Sequence, residues 1–217
     1  MLFITVGFKT NFYISFCPVA GIVLIIYFVK SIIKHNRTVI IQTLMTGISI
    51  LAVIPVLYYQ SGILFDSGED ANHIIISVGT VWLHNAPNVV LKPLLSILPF
   101  VSVLIYSIYK KNVSKEYMFL LTLWIVDVAV YIIFAESGSR MYHGNFGWGK
   151  SFSMFCLNAC SAILYCKYVK NAIKDKDGEK RKLDRFLLVV IGIILLASIV
   201  SGIAFFYDLT WGGGNYN

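Results

Sequence analysis

Phe186–Tyr207 reads FLLVVIGIILLASIVSGIAFFY, a stretch without a single charge. A hydrocarbon layer about 30 Å thick is crossed by about twenty helical residues, and this run has that length. A strand is excluded because the run is too long and does not alternate. Backbone in lipid must, moreover, bond within its own segment. Working outward, five more runs read the same way: Phe12–Val29, Val39–Tyr59, Val89–Tyr109, Tyr117–Ala135 and Ser151–Tyr168. The expected fold is all-α, a polytopic integral membrane helix bundle with about six transmembrane helices in a single domain, 1–217.

Composition agrees. The chain is 58% apolar and 13% charged, where a soluble domain carries about 25% charged residues. The net charge of +7 could suggest a nucleic-acid partner, but its distribution argues against one. Of 18 Lys and Arg, 14 fall in Lys30–Arg37, Lys110–Lys115 and Lys167–Arg185. Basic residues gathered in alternate loops of an apolar chain follow the positive-inside pattern. That assignment places +9 inside and −1 outside, with Asp127 in the membrane supplying the remaining −1. Both termini are then extracytoplasmic, and the expected location is a cell membrane crossed several times. The start at Met1 lacks a basic region and a small-residue cleavage site, so no cleavable leader is expected.

Cys17, Cys156, Cys160 and Cys166 lie in apolar stretches without CxxC spacing and read as small buried residues. Lys167–Arg185 reads as a solvated connector. Ala197 with Ser201, and Ser198 with Gly202, repeat small residues at a spacing of four, which favours close helix packing. No cofactor is evident.

Chemistry concentrates in two outer loops, 60–88 and 136–150. The first carries Asp66, Glu69 and Asp70 within five residues. Such carboxylates suit a divalent cation or a general base, although their spacing fits no defined calcium loop and a plain solvated loop is the simpler reading. Its apolar second half, with Trp82 and His84, suits a short interfacial segment.

The second loop runs Glu136-Ser-Gly-Ser-Arg140-Met-Tyr142-His143-Gly144-Asn145-Phe-Gly-Trp148-Gly-Lys150. Its glycines permit positive φ and close backbone approach. Arg140 offers a planar fork for phosphate or carboxylate, and His143 can shuttle a proton near neutral pH. Glu136 could serve as a base or simply pair with Arg140. The competing reading is a rigid hairpin with aromatic interface anchors.

Asp127 sits near the middle of the fourth run, where insertion costs roughly 2.5–3.5 kcal/mol. It shares a helical face with Trp124 and Tyr131 by spacing. Asn158 on the next helix lies at similar depth, so an Asp127–Asn158 hydrogen bond is the bland expectation and a proton or ion relay the sharper one. Lys92, at the start of the third run, can snorkel outward or meet an anionic headgroup.

Several of these motifs carry a resemblance. Phe8-Lys9-Thr-Asn11-Phe12 entering a helix with Pro18 resembles the "KPSF…P" entry of multi-spanning proteins of bacterial surface-polysaccharide clusters. Val81-Trp82-Leu-His84-Asn-Ala-Pro87-Asn88 resembles their "W…PN" stretch. Ala135-Glu136-Ser-Gly-Ser-Arg140, continuing through His143-Gly-Asn145-Phe-Gly-Trp148-Gly, is similar to their "AESG.R..HGNF.WG" loop. Those proteins in turn resemble GT-C-type glycosyltransferases that use polyprenyl-phosphate-linked sugars.

The resemblance falls on the later half of such chains and implies a bacterial inner-membrane location. Their catalytic acid typically lies in an earlier outer loop, so no residue here inherits that role. A partner supplying the missing N-terminal helices is one expectation. Membrane lipid and a polyprenyl-phosphate-linked sugar are the other expected partners. Under this reading Lys9, Asn11, Trp82, His84, Asn88, Lys92, Arg140, His143, Asn145 and Trp148 bind substrate. Glu136, or less favourably Asp66, activates an acceptor hydroxyl. The alternatives are a transporter or flippase-like protein centred on Asp127, and a non-catalytic membrane subunit.

Overall fold

A computed structural model describes residues 11–56, 58–59, 74–85, 91–138, 141–142, 144, 146–174 and 178–211. Among the described residues the chain is all-α apart from one short ribbon. Its elements in order are α1 (Asn11–Ile33), α2 (Arg37–Leu51), β1 (Ile74–Ile76), α3 (Thr80–Asn85), α4 (Leu91–Tyr109), α5 (Lys115–Ile133), β2 (Phe134–Glu136), α6 (Gly147–Lys174) and α7 (Gly178–Trp211).

Among the described residues, five helical stretches are long and apolar enough to cross a membrane: Tyr13–Ile33, Arg37–Val56, Lys115–Ile133, Gly147–Lys174 and Lys182–Ala204. The third expected span corresponds to α4, whose apolar part is the shorter Leu94–Tyr109. That part reaches only about 24 Å at 1.5 Å per residue. Large apolar side chains lie open along these helices, with Ile25, Ile41, Ile193 and Ile203 among them. Surface of that kind is at home in hydrocarbon and unfavourable in water.

Two helical turns are built alike. Ser31-Ile-Ile-Lys-His-Asn36 and Ser107-Ile-Tyr-Lys-Lys-Asn112 share the pattern S-I-x-K-x-N. In the first, His35 adopts φ 50° and Asn36 N–H donates to the Ser31 carbonyl at 2.9 Å. In the second, Lys111 adopts φ 50° and Asn112 N–H donates to the Ser107 carbonyl at 2.9 Å. A left-handed residue followed by a bond back around the helix end satisfies carbonyls that the helix leaves open. The next helix starts at once in each case. Asn36 Oδ1 accepts from Val39 N–H at 3.2 Å, and Ser114 Oγ accepts from Tyr117 N–H at 3.1 Å.

The chain divides into two compact units, one of residues 1–87 and 119–155, the other of 88–118 and 156–217. In the first, α1 packs along α2. Tyr13 and Val53 are buried there with Phe16, Cys17 and Val56 around them, and a second cluster joins Val81, Tyr131, Ala135 and Phe146. In the second, α4 packs against α7 around Val103, Tyr106, Tyr168, Leu188 and Ile191.

Four expectations need correction. The fourth helix ends at Ile133 and not at Ala135, because residues 134–136 form a strand. The basic stretch 167–185 is mostly helix, with α6 reaching Lys174 and α7 starting at Gly178; its Lys, Arg and Glu are good helix formers. The small residues Ala197, Ser198, Ser201 and Gly202 are exposed, and a Cβ on Gly202 would touch nothing within 4 Å, so they close no packing among the described residues. The cysteines are free and only half-buried, with Cys166 exposed.

Candidate functional site

The site grows from the end of α5. A helix leaves its last carbonyls without partners, and here the preceding long loop supplies the donors. Ser77 N–H donates to the Ile133 carbonyl at 2.9 Å and Gly79 N–H to the Ile132 carbonyl at 2.8 Å. Beyond them the two segments continue as an antiparallel ribbon with Ile74 opposite Glu136, Ile75 opposite Ala135 and Ile76 opposite Phe134. The three isoleucines suit an extended backbone. The ribbon ties together the two loops that the sequence singled out.

After the ribbon, Gly79 takes φ 77° and turns the chain into α3. The Ser77 hydroxyl donates to Thr80 Oγ1 at 2.8 Å across this corner. A side chain at Gly79 would be strained by that φ. α3 then turns Val81 into the cluster with Tyr131, Ala135 and Phe146. Trp82 lies with its ring centroid 6.4 Å from that of Tyr131. Its Nε1–H is buried and has no acceptor among the described residues. His84 is exposed and stacks on Tyr142 with centroids 3.9 Å apart.

Tyr131 is the hub. On its other side stands the first turn of α6, where a Cβ added to Gly147 would come within 3.2 Å of the Tyr131 ring. The glycine allows this close approach, and Lys150, one turn on, holds its Nζ 4.3 Å from the centroid of the same ring. That is cation–π range. No acid pairs with Lys150 among the described residues. Glu136 is 7% exposed and lines, with Val81, Tyr131, Met141 and Phe146, a cavity of about 10 Å³, room for about one water.

The predicted site residues therefore fall into three groups. Trp82, His84 and Glu136 are brought to one end of the first unit. Trp148 is on the first turn of α6 and 53% exposed. Lys9, Asp66, Asn88, Arg140, His143 and Asn145 lie outside the described residues, as do Glu69 and Asp70 and the side chains of Asn11 and Lys92. Sequence reading passed over Lys150 and Tyr131 as partners. The signal available was Gly147 three residues before Lys150, the small residue that lets a helix start against a ring. Among the described residues no three His, Cys, Asp or Glu side chains group as metal ligands.

Asp127 lies elsewhere in the same unit. It is 1% exposed, and both of its oxygens lack a hydrogen-bond partner among the described residues. Asn158, the expected partner, belongs to the second unit, and its Oδ1 is without a partner among the described residues.

Comparison of the chain with protein-family models, with curated proteins and with solved structures finds no match.

Proposed function

We propose that this is an integral membrane protein of bacterial cell-envelope polysaccharide biosynthesis, resembling part of a glycosyltransferase that uses polyprenyl-phosphate-linked sugars. Its site is the end of the first unit where the ribbon joins the two loops, facing the outer side of the inner membrane. One observation carries the reading: the cluster holds two donors that are not matched among the described residues. There the Trp82 indole N–H has no acceptor, and the Lys150 ammonium meets the Tyr131 ring and no acid. Adding Arg140 and His143 from the same loop makes the place strongly receptive to an anion, and a lipid-linked phosphate arriving along the membrane supplies one.

In this mechanism Arg140, His143 and Lys150 neutralise the phosphate, with Lys9 as a further cation. Trp82 and Trp148 offer faces to a sugar ring, with His84, Asn11 and Asn145 as polar contacts. Glu136, or Asp66, takes the proton of the acceptor hydroxyl. The cavity of about 10 Å³ beside Glu136 is far smaller than a sugar, so the sugar must sit against the cluster and not inside it.

The test is binding of polyprenyl phosphate to the full chain in detergent. Arg140→Ala and Lys150→Ala are each expected to weaken it about tenfold or more, the value of a charge-assisted hydrogen bond. Unchanged affinity in both variants removes the phosphate site.

A further inference from the structure

Two hydroxyls face the Asp127 carboxyl from other helices, Ser15 on α1 and Ser153 on α6. Ser15 and Ser153 are themselves almost wholly buried. No charged side chain among the described residues acts on the carboxyl. The nearest cation along α6 is Lys150, one turn before Ser153, and its amine is over the Tyr131 ring.

The protons can be counted. Ser153 Oγ has the carbonyls of Gly149 and Lys150 as acceptors for its single hydrogen, at 3.0 and 3.2 Å. With that hydrogen engaged on either carbonyl, Ser153 offers Asp127 its lone pairs. Ser15 Oγ has no partner among the described residues, so its hydrogen is free. An ionised carboxylate would find one donor for two oxygens and would face the lone pairs of Ser153 besides. A carboxylic acid fits both neighbours. Its O–H can donate to Ser153 Oγ while its carbonyl oxygen accepts from Ser15. These partners stand in place, although neither bond is closed. A metal cation is served less well, because one carboxyl and two hydroxyls are fewer oxygens than a cation cage uses.

We propose that Asp127 carries an exchangeable proton, and that Asp127, Ser15 and Ser153 form a proton-binding site within the membrane-spanning part of the first unit. The site does not depend on the outer-face reading, and either can fail alone. It gives the chain a group able to take up and release a proton where, among the described residues, no charged side chain acts on it.

Infrared difference spectroscopy of the full chain in detergent, with hydrogen–deuterium exchange, tests this directly. The wild type is expected to show the C=O band of a protonated carboxylic acid, lost in Asp127→Asn and moved in Ser15→Ala, which withdraws the donor to that oxygen. The band declines about tenfold for each pH unit beyond its titration point and is indifferent to sodium. If Asp127→Asn does not fold, the shift in Ser15→Ala assigns the band in its place. Absence of any acid band responsive to Ser15→Ala, at every pH where the chain stays folded, overturns the proposal. So does loss of the band on adding sodium at fixed pH, which would make the occupant a metal cation.

Discussion

Both units bury polar groups, but they treat them differently. In the second unit the buried hydroxyls are matched. Tyr117 donates to the Phe100 carbonyl at 2.5 Å and receives Ser161 at 3.3 Å. Tyr168 bridges Ser107 Oγ and the Asn112 carbonyl, each at 2.9 Å, and Lys110 pairs with Asp184. Among the described residues, the first unit leaves over both oxygens of Asp127, the Ser15 hydroxyl and the Trp82 indole, while the second leaves over Asn158 Oδ1 and the Asp184 oxygen that does not meet Lys110. A polar group without a partner in an apolar interior costs free energy, whereas a matched one is nearly neutral or favourable. The second unit thus uses its buried hydroxyls to hold helices together. The first leaves the Ser15 hydroxyl and the Asp127 carboxyl available, as the proposed proton site requires.

Substitutions can break or sharpen this contrast. The largest effect is expected from Tyr117→Ala, which removes a fully buried ring and its hydrogen bond to the Phe100 carbonyl. Destabilisation of about 3–5 kcal/mol should appear in denaturation of the detergent-solubilised chain. Tyr168→Phe keeps the ring and removes both of its hydroxyl bonds, for a loss of about 1–2 kcal/mol. Asp127→Leu should act in the opposite direction. Replacing an unmatched carboxyl by an apolar side chain is expected to raise stability by about 1 kcal/mol. A fall comparable to that of Tyr168→Phe would mean that Asp127 is as structural as the second unit's hydroxyls, and the contrast would be lost. Smallest is Lys111→Gly, which relieves the left-handed φ of 50° and should stabilise by about 0.5–1 kcal/mol. His35→Gly, at the matching turn of the first unit, should behave the same way, since here the units are alike.

The helices were legible because each is a long apolar run, and length with hydropathy is a local property. Helix ends were less so. Gly147–Lys150 looked like the tail of a loop because its glycines suggest turns, yet Gly147 is where α6 closes on Tyr131. The ribbon was hidden for a different reason. Phe134–Glu136 simply continues the apolar run of α5, and what makes it a strand is a partner far away in sequence, Ile74–Ile76. Trp82, His84 and Glu136 could be picked out by residue type, but not their shared location, which the ribbon creates. Asp127 was conspicuous as a charge within an apolar run. Its hydroxyl neighbours were not, since Ser15 and Ser153 look like ordinary helix serines until α1 and α6 are placed beside it.

The ribbon also sets an order of assembly. The α1–α2 turn is made from neighbouring residues and can close as soon as both helices exist, with little chain entropy to lose. The pairing of Ile74 with Glu136 must wait until α3, α4 and α5 have all been synthesised. The cluster around Tyr131 is consequently completed after the early hairpin, and a folding fault anywhere in the intervening helices would reach it before it reached that hairpin.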